Sequence, residues 1–204
     1  FKYALALRKS ITLENIQRHA GVIHDALSKP DWNLSIPGYL ESTMGAENMG
    51  YTMRRMRFVN ERSNIDAELT GKTRPREIVM ALVVYDGDPT RLIRTSQAIA
   101  ELLGVAHEIT GESVVRSLRF ALTPNTAEAL ARMKEQFRRD DERLMHLFVL
   151  GDPSVDAVKQ INDTFETTAR GTHVIVRPAT SSPQETLPSA QELKLLLLQA
   201  AEKP

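Results

Sequence analysis

The stretch that decides the fold is residues 78–89, which read IVMALVVYDGDP. A continuous run of apolar and aromatic residues, several of them β-branched, is typical of a strand buried on both faces. The acidic turn Asp86-Gly87-Asp88-Pro89 ends this strand, and an amphipathic helical pattern follows it. This succession of strand, turn, proline and helix predicts a parallel sheet covered by helices.

The same unit recurs toward the C-terminus. Further strands are predicted at residues 114–122, 147–150 and 173–176, followed by Thr123-Pro124, Asp152-Pro153 and Arg177-Pro178. Asp88, Thr123 and Asp152 are N-cap residue types directly before a proline, so they are predicted to cap helices, and Gly104 and Gly171 to end helices. Because strands alternate with helices, we predict an α/β fold with a mostly parallel sheet of about four to five strands and helices on both faces.

The two ends of the chain flank this core. Residues 1–77 are predicted to form an N-terminal helical or irregular segment packed on an α/β core at residues 78–178, followed by a linker and a C-terminal helix at residues 179–204. Apolar residues within 13–27 recur at helical steps and predict a helix that starts near Thr12. A second helix is predicted from Met49, Met53 and Met56, a loop or edge strand at residues 63–75, and a capping box at Ser189 and Glu192.

The composition limits the possible functions. The chain has 204 residues, the length of about one domain, and its 26 Lys and Arg balance its 26 Asp and Glu, so no global field attracts nucleic acid or an anionic membrane. The absence of cysteine excludes thiol catalysis, disulfides and cysteine-based zinc sites. No apolar stretch is long enough to span a membrane, and the first residue is Phe1, so an upstream signal or anchor stays open. A cytoplasmic location is only the default expectation.

Common catalytic and cofactor motifs are absent from the sequence. It contains no GxGxxG, GxSxG or HExxH, the patterns of dinucleotide-binding folds, serine hydrolases and zinc proteases. Gly71-Lys72-Thr73 matches the end of a phosphate-binding P-loop, but Asp66 stands where that loop needs a glycine. His19 and His24 are the only histidines close in sequence, and on a helix they lie about 140° apart, too far to share a metal. We therefore predict no catalytic residue, no cofactor and no metal site from motifs.

Polar residues at the ends of the predicted strands form the best candidate ligand site. In an open parallel sheet, ligands bind outside the carboxyl ends of the strands. Asp86, Asp88, Asp152 and Arg177 fall at that edge and are predicted to bind a ligand, with Asp86 and Asp88 as candidate metal or phosphoryl ligands. Helix capping is the competing explanation of Asp88 and Asp152, and it explains Asp86 less well. Asp86 is therefore the stronger candidate.

Residues 83–89 resemble the acidic turn after the first strand of response-regulator receiver domains, and Val176-Arg177-Pro178 stands where that family has Lys-Pro after its last strand. The resemblance covers roughly 100 residues and implies a receiver-like parallel α/β fold. The phosphoacceptor aspartate that the family carries at the end of a middle strand has no counterpart in residues 118–124. The resemblance therefore does not extend to phosphotransfer.

Two further segments are predicted to contact other molecules. One is the Met- and Arg-rich stretch that begins before residue 54, and the other is the leucine-rich end of the last helix. Methionine adapts its shape, and methionine and arginine are enriched at protein interfaces. The predicted contact residues are Met49, Met53, Met56, Arg54, Arg55, Arg57, Leu195, Leu196 and Leu198.

Three functions are compatible with the sequence. The preferred one is a non-catalytic interaction or assembly module that binds a protein partner or itself through the Met/Arg-rich and Leu-rich helical surfaces. The alternative is a small-ligand or phosphate-binding enzyme with its site at the carboxyl edge of the sheet. The third is nucleic-acid binding through the basic stretch at residues 54–76, which the balanced charge of the whole chain disfavours.

Overall fold

The computed structural model describes residues 11–58, 62–165 and 172–202. In this part of the chain, six strands form one sheet, and helices cover both of its faces. The helices are α1 (Leu13–Leu27), α2 (Trp32–Met44), α3 (Leu92–Ile109), α4 (Ala127–Arg139), α5 (Val155–Phe165) and α6 (Pro183–Ala200). The strands are β1 (Thr52–Arg57), β2 (Ser63–Leu69), β3 (Arg74–Tyr85), β4 (Arg116–Pro124), β5 (Arg143–Leu150) and β6 (His173–Val176). The predicted α/β fold is confirmed.

The strand order across the sheet is β1-β2-β4-β3-β5-β6. β3 pairs in parallel with β4 and β5, and β5 pairs in parallel with β6, whereas the β1–β2 and β2–β4 pairs are antiparallel. The sheet has more strands than predicted because it includes the antiparallel pair β1 and β2. Residues 52–57 were predicted to be helical, and residues 63–69 to lie in a loop or edge strand. β3 also begins at Arg74, so the sheet starts before residue 78.

The apolar core lies on both faces of β3. The odd-numbered residues from Val79 to Val83 pack against α1, α2, α3 and α6. The even-numbered residues from Ile78 to Leu82 pack against α4 and α5 on the opposite face. Because successive side chains of a strand point to opposite faces, burial of both faces requires the continuous apolar run in the sequence. None of the described helices is long and apolar enough to cross a membrane.

The prediction of a helix from Met49, Met53 and Met56 is wrong. Met49 lies in the turn after α2, and the other two methionines lie on β1. Met53 packs on the core, whereas Met56 lines a groove beside α4 on the other face of the sheet. The methionines are spaced as on a helix only by coincidence, because they belong to a turn and a strand. The segment predicted as a loop or edge strand at residues 63–75 contains β2, which is an inner strand between β1 and β4.

Two predicted helix boundaries are also wrong. Gly104 does not end α3, which continues to Ile109. α6 begins at Pro183, inside the segment predicted to be a linker, because the Ser182 hydroxyl accepts a hydrogen bond from the Glu185 N–H and the Glu185 carboxylate accepts one from the Ser181 N–H. This arrangement is similar to a capping box, but the carboxylate accepts from the residue before the N-cap. The sequence analysis placed a capping box at Ser189 instead. Gly171, the predicted end of α5, lies outside the described residues.

The three predicted aspartate and threonine caps are wrong as well, and this matters for the site. α4 is capped by Thr126, whose hydroxyl accepts the Ala129 N–H at 3.2 Å, instead of by Thr123. At the start of α5, the hydroxyl of Ser154 accepts a hydrogen bond from the Ala157 N–H at 3.1 Å. Ser154, and not Asp152, therefore caps this helix. α3 begins after Arg91, well past Asp88. Because the prolines lie in the turns instead of at the first helical position, Asp88 and Asp152 are available for other contacts.

Gly71, in the segment that imitates a P-loop, has a packing role. A Cβ atom at this position would lie 2.5 Å from backbone atoms of Val115 and Arg116. The Gly71 N–H donates a hydrogen bond to the Ser117 hydroxyl at 2.9 Å. Glycine is therefore required here because the chain passes close to the start of β4.

Candidate functional site at the carboxyl edge of the sheet

The parallel register brings the ends of β3 and β4 together. Tyr85, the last residue of β3, is paired with Pro124 of β4. The residues that follow them, Asp86 and Asn125, are therefore neighbours, and the Asn125 side-chain amide donates a hydrogen bond to Asp86 Oδ2 at 3.0 Å. The Asn125 N–H also donates to the Tyr85 carbonyl at 3.1 Å. Asn125 thus holds the first carboxylate of the site against the sheet edge.

The Asp86 carboxylate has contacts to three different residues. Its Oδ1 accepts the Asp88 N–H at 3.1 Å, and its Oδ2 accepts from Asn125 and from Arg91 Nη1, the latter at 3.2 Å. These bonds fix the orientation of the carboxylate. Its side chain is nevertheless 26% exposed, so a ligand can reach it from solvent.

Asp88 is the second carboxylate. It accepts hydrogen bonds from the Thr90 hydroxyl at 2.7 Å and the Thr90 N–H at 2.9 Å, and it pairs with Arg91 Nη2 at 3.0 Å. The Thr90 hydroxyl bond, the Thr90 N–H bond and the positive charge of Arg91 hold the pKa of Asp88 below its ordinary value. The Asp88 carboxylate is therefore ionised at neutral pH.

Asp152 is the third carboxylate and follows β5, the strand on the other side of β3. It pairs with Arg94 Nη1 of α3 at 2.7 Å. Next to it, the first two turns of α5 line a groove of about 420 Å³. The groove includes Val155, which is 85% exposed, together with Pro153 and Val158. An apolar surface thus adjoins the charged edge.

An aromatic side chain borders the acidic turn. A Cβ atom at Gly87 would lie 2.5 Å from Nε1 of Trp32, so only glycine leaves room for the indole. The Trp32 ring also meets the Tyr85 ring edge-on, with 5.7 Å between their centroids. The start of α2 therefore brings a partly exposed aromatic ring to the same edge.

Arg177 does not join this group, although it follows β6. Its side chain is buried, and Nη2 donates to the carbonyl and hydroxyl oxygens of Ser189, each at 3.2 Å, and to Glu192 at 3.0 Å. These partners belong to α6. The structure therefore assigns Arg177 to helix docking and leaves Asp86, Asp88 and Asp152 as the predicted residues at the open edge.

Sequence analysis missed four residues of this edge. Arg91 and Arg94 follow the acidic turn at short spacing, and a search for arginines near the turn finds both. Asn125 follows the end of β4, so the same edge argument that selected Asp86 would have included it. Trp32 carries no sequence signal, because only the packing of α2 on the sheet brings it to Gly87.

The predicted contact residues range from buried to exposed. Met49 and Leu198 are buried in the core, and Met53 and Leu196 pack against it, whereas Leu195 is 67% exposed. The remaining predicted contact residues lie on β1. Arg54, Arg55 and Met56 are half-buried, and Arg57 is exposed.

The arginines of the basic stretch at residues 54–76 are mostly held in ion pairs. Arg54 pairs with Asp66 at 3.1 Å, and Arg55 pairs with Glu41 at 3.1 Å. Arg74 and Arg76 also have acidic partners, Glu77 and Asp141 respectively. Because these pairs neutralise much of the stretch, it offers little free charge to a nucleic-acid backbone.

No family model matches this chain, and no curated protein matches it. Solved structures share its fold. A putative Zn-dependent exopeptidase from Bacteroides vulgatus matches 94% of this chain and 97% of its own, with a TM-score of 0.67 and 9% identity. A glutaminyl cyclase from an Acidobacteriales bacterium matches 96% of this chain and 97% of its own, with a TM-score of 0.60 and 11% identity.

A third similar structure is the LapA aminopeptidase of Legionella pneumophila, with a TM-score of 0.55 and 11% identity over 94% of this chain. This chain spans 61% of the length of that protein. At these identities the likeness shows a common fold. The resemblance to receiver domains gains no support from these comparisons.

The prediction of a non-catalytic interaction or assembly module is wrong. The solved structures that share the fold over nearly the whole chain are named as enzymes. Two of the nine predicted contact residues, Met49 and Leu198, lie in the core. The fold instead agrees better with the alternative, a small-ligand site at the carboxyl edge.

The described residues do not fit the zinc ion that the name of the Bacteroides protein implies. Zinc in proteins is held by histidine and cysteine nitrogen and sulfur atoms together with carboxylates. Within residues 11–58, 62–165 and 172–202, no group of three or more His, Cys, Asp or Glu side chains could hold a metal ion. The carboxylates of Asp86, Asp88 and Asp152 are instead each paired with an arginine.

Proposed function

We propose that this chain is a small-ligand-binding domain with an enzyme fold, and that its ligand is an amino acid or short peptide held by its free amino group. Asp86 is the principal contact. The observation that carries the proposal is the anchored and exposed carboxylate of Asp86 at the end of the central strand, between Asn125 and Arg91. The aminopeptidase with the same fold acts, by its name, at the amino end of peptides.

The local charges favour a cationic group over a phosphate. The carboxylates of Asp86, Asp88 and Asp152 outnumber the guanidinium groups of Arg91 and Arg94, and both arginines are already engaged. An incoming phosphate would have to break these pairs, whereas an ammonium group adds a donor to oxygens that have spare lone pairs.

The apolar groove beside Asp152 suits a side chain of the same ligand. Pro153, Val155 and Val158 contribute exposed or half-exposed apolar surface directly after Asp152 in the chain. Apolar walls with a few oriented polar groups are the usual composition of small-molecule sites. We therefore expect ligands with an apolar first residue to bind more tightly than glycine.

Thermal unfolding in the presence of amino acids, dipeptides and inorganic phosphate tests the proposal. A ligand at about 100 times its dissociation constant stabilises a protein by roughly 2.7 kcal/mol, a shift of several degrees. Asp86→Asn should abolish the shift, and Asp25→Asn, on the exposed face of α1, should keep it. Stabilisation by phosphate alone, or an unchanged shift in Asp86→Asn, would contradict the proposal.

A further inference from the structure

One guanidinium group lies between two carboxylates of the acidic turn. Arg91 places Nη1 3.2 Å from Asp86 Oδ2 and Nη2 3.0 Å from Asp88 Oδ2. The two nitrogens of one planar fork thus serve two different carboxylates, a geometry that a lysine ammonium does not reproduce. All three side chains are between a quarter and a third exposed, so solvent ions can reach them.

Without Arg91, these carboxylates would lack their common counter-charge. The tight turn holds Asp86 and Asp88 near each other, because the Asp88 N–H is bonded to Asp86 Oδ1. Like charges at short range repel, and oxygen donors from neighbouring carboxylates are the ligands that Ca²⁺ and Mg²⁺ prefer. Arg91 therefore stands where a hard divalent cation would otherwise relieve the repulsion.

We infer that the described part of the carboxyl edge is independent of metal ions, because Arg91 supplies the positive charge between Asp86 and Asp88 that a divalent cation would supply. Arg94 neutralises Asp152 in the same way. An arginine side chain remains protonated at every physiological pH, so this charge is permanent and insensitive to chelators. The chain thereby departs from the Zn-dependent exopeptidase with which it shares the fold. The inference concerns the same edge as the proposed function, but it requires no organic ligand.

Metal content and thermal unfolding of the full chain test this inference. The wild-type chain should carry no stoichiometric metal by elemental analysis. Its melting temperature should be unchanged by EDTA, Zn²⁺, Ca²⁺ or Mg²⁺. The Arg91→Ala variant should melt at a lower temperature than the wild type and recover several degrees on addition of Ca²⁺ or Mg²⁺.

Matched variants separate this effect from general charge effects. Arg91→Lys retains one positive charge and should show a much smaller response to the cations than Arg91→Ala. Arg76→Ala removes an exposed arginine whose partner is Asp141, and it should show no response. Stoichiometric zinc in the wild-type chain, or an Arg91→Ala variant that ignores both cations, would overturn the inference. Because no amino acid is present, these outcomes are distinct from a failure of the ligand proposal.

Discussion

The hydroxyl of Ser189 on α6 donates a 2.7 Å hydrogen bond to the buried carboxyl group of Glu101 on α3. Arg177 contacts the same hydroxyl and also reaches Glu192, so the cluster joins the end of β6 to both helices. Burial raises the pKa of Glu101 from its ordinary value of 4.5 to about 7, against the opposing effects of the Ser189 hydrogen bond and the Arg177 charge. The nearby charge of Glu192 adds to the rise. We therefore expect the docking of the C-terminal helix to weaken as the pH rises through about 7.

Glu101→Gln should remove a pH dependence of stability. The folded state binds the Glu101 proton more tightly than the unfolded state, so the contribution of this group is intact below about pH 4.5 and is lost as the pH rises through about 7. At pH 8 the variant should be more stable than the wild type, by up to about 3 kcal/mol, and this advantage should vanish near pH 5. Urea denaturation at both pH values measures the difference.

Glu128→Gln, on the exposed side of α4, is the matched control and should leave the pH dependence of the wild type unchanged. Equal stability of wild type and Glu101→Gln at pH 8 would show that the carboxyl group ionises without cost and that the helix docking is insensitive to pH.

A second prediction concerns the buried charge of β4. Arg119 is 2% exposed, donates hydrogen bonds to Glu68 and Glu142 at 2.7 Å, and lies 5.5 Å from the centre of the Phe137 ring. Arg119→Ala would leave two largely buried carboxylates without a counter-charge, at a cost of about 3–5 kcal/mol in the free energy of unfolding. Adding Glu68→Gln and Glu142→Gln to this variant should restore part of the loss.

Urea midpoints of these variants provide the measurement. Arg138→Ala removes an arginine that pairs with Glu135 on the solvent side of α4, and it should not change the midpoint. If Arg119→Ala unfolds at the same urea concentration as the wild type, the cluster of Arg119 and its carboxylates makes no net contribution to stability.

The central strands were predictable because their signal is local. Eight consecutive apolar or aromatic residues, Ile78 to Tyr85, are required by burial on two faces, and no distant partner is needed to recognise them. β1 has no such signal. Its sequence, TMRRMR, becomes a strand because β2 pairs with it and because Asp66 and Glu41 neutralise two of its three arginines, Arg54 and Arg55. Neither partner can be assigned from the sequence.

The candidate site was predictable in its position and not in its composition. Parallel strands end at one edge, so Asp86 and Asp152 could be placed there from the strand pattern alone. The Asp-Pro dipeptides suggested helix caps, however, and this interpretation hid the pairing of Asp88 with Arg91. Arg177 was predicted at the open edge, but its side chain contacts α6. Nothing in the sequence of β6 indicates this contact.

A third prediction tests the contact between the acidic turn and α2. Trp32 is the only tryptophan of the chain, so intrinsic fluorescence reports on it directly. In Gly87→Ala, the new Cβ would lie 2.5 Å from Nε1 and 3.0 Å from two further indole atoms, so the ring or the turn must shift. Such a shift alters the edge-on contact of Trp32 with Tyr85. We expect a changed emission spectrum and a loss of about 1–3 kcal/mol in the free energy of unfolding.

Gly21→Ala is the control for this variant, because a Cβ at that exposed position of α1 meets nothing within 4 Å. It should keep the wild-type spectrum and gain up to about 1 kcal/mol, the usual preference of a helix interior for alanine. The backbone at Gly87 is not in the left-handed region, so strain of the main chain cannot produce the expected loss. If Gly87→Ala retains both the spectrum and the stability of the wild type, Trp32 does not pack on the turn. In that case the description of Trp32 as the aromatic border of the site would have to be abandoned.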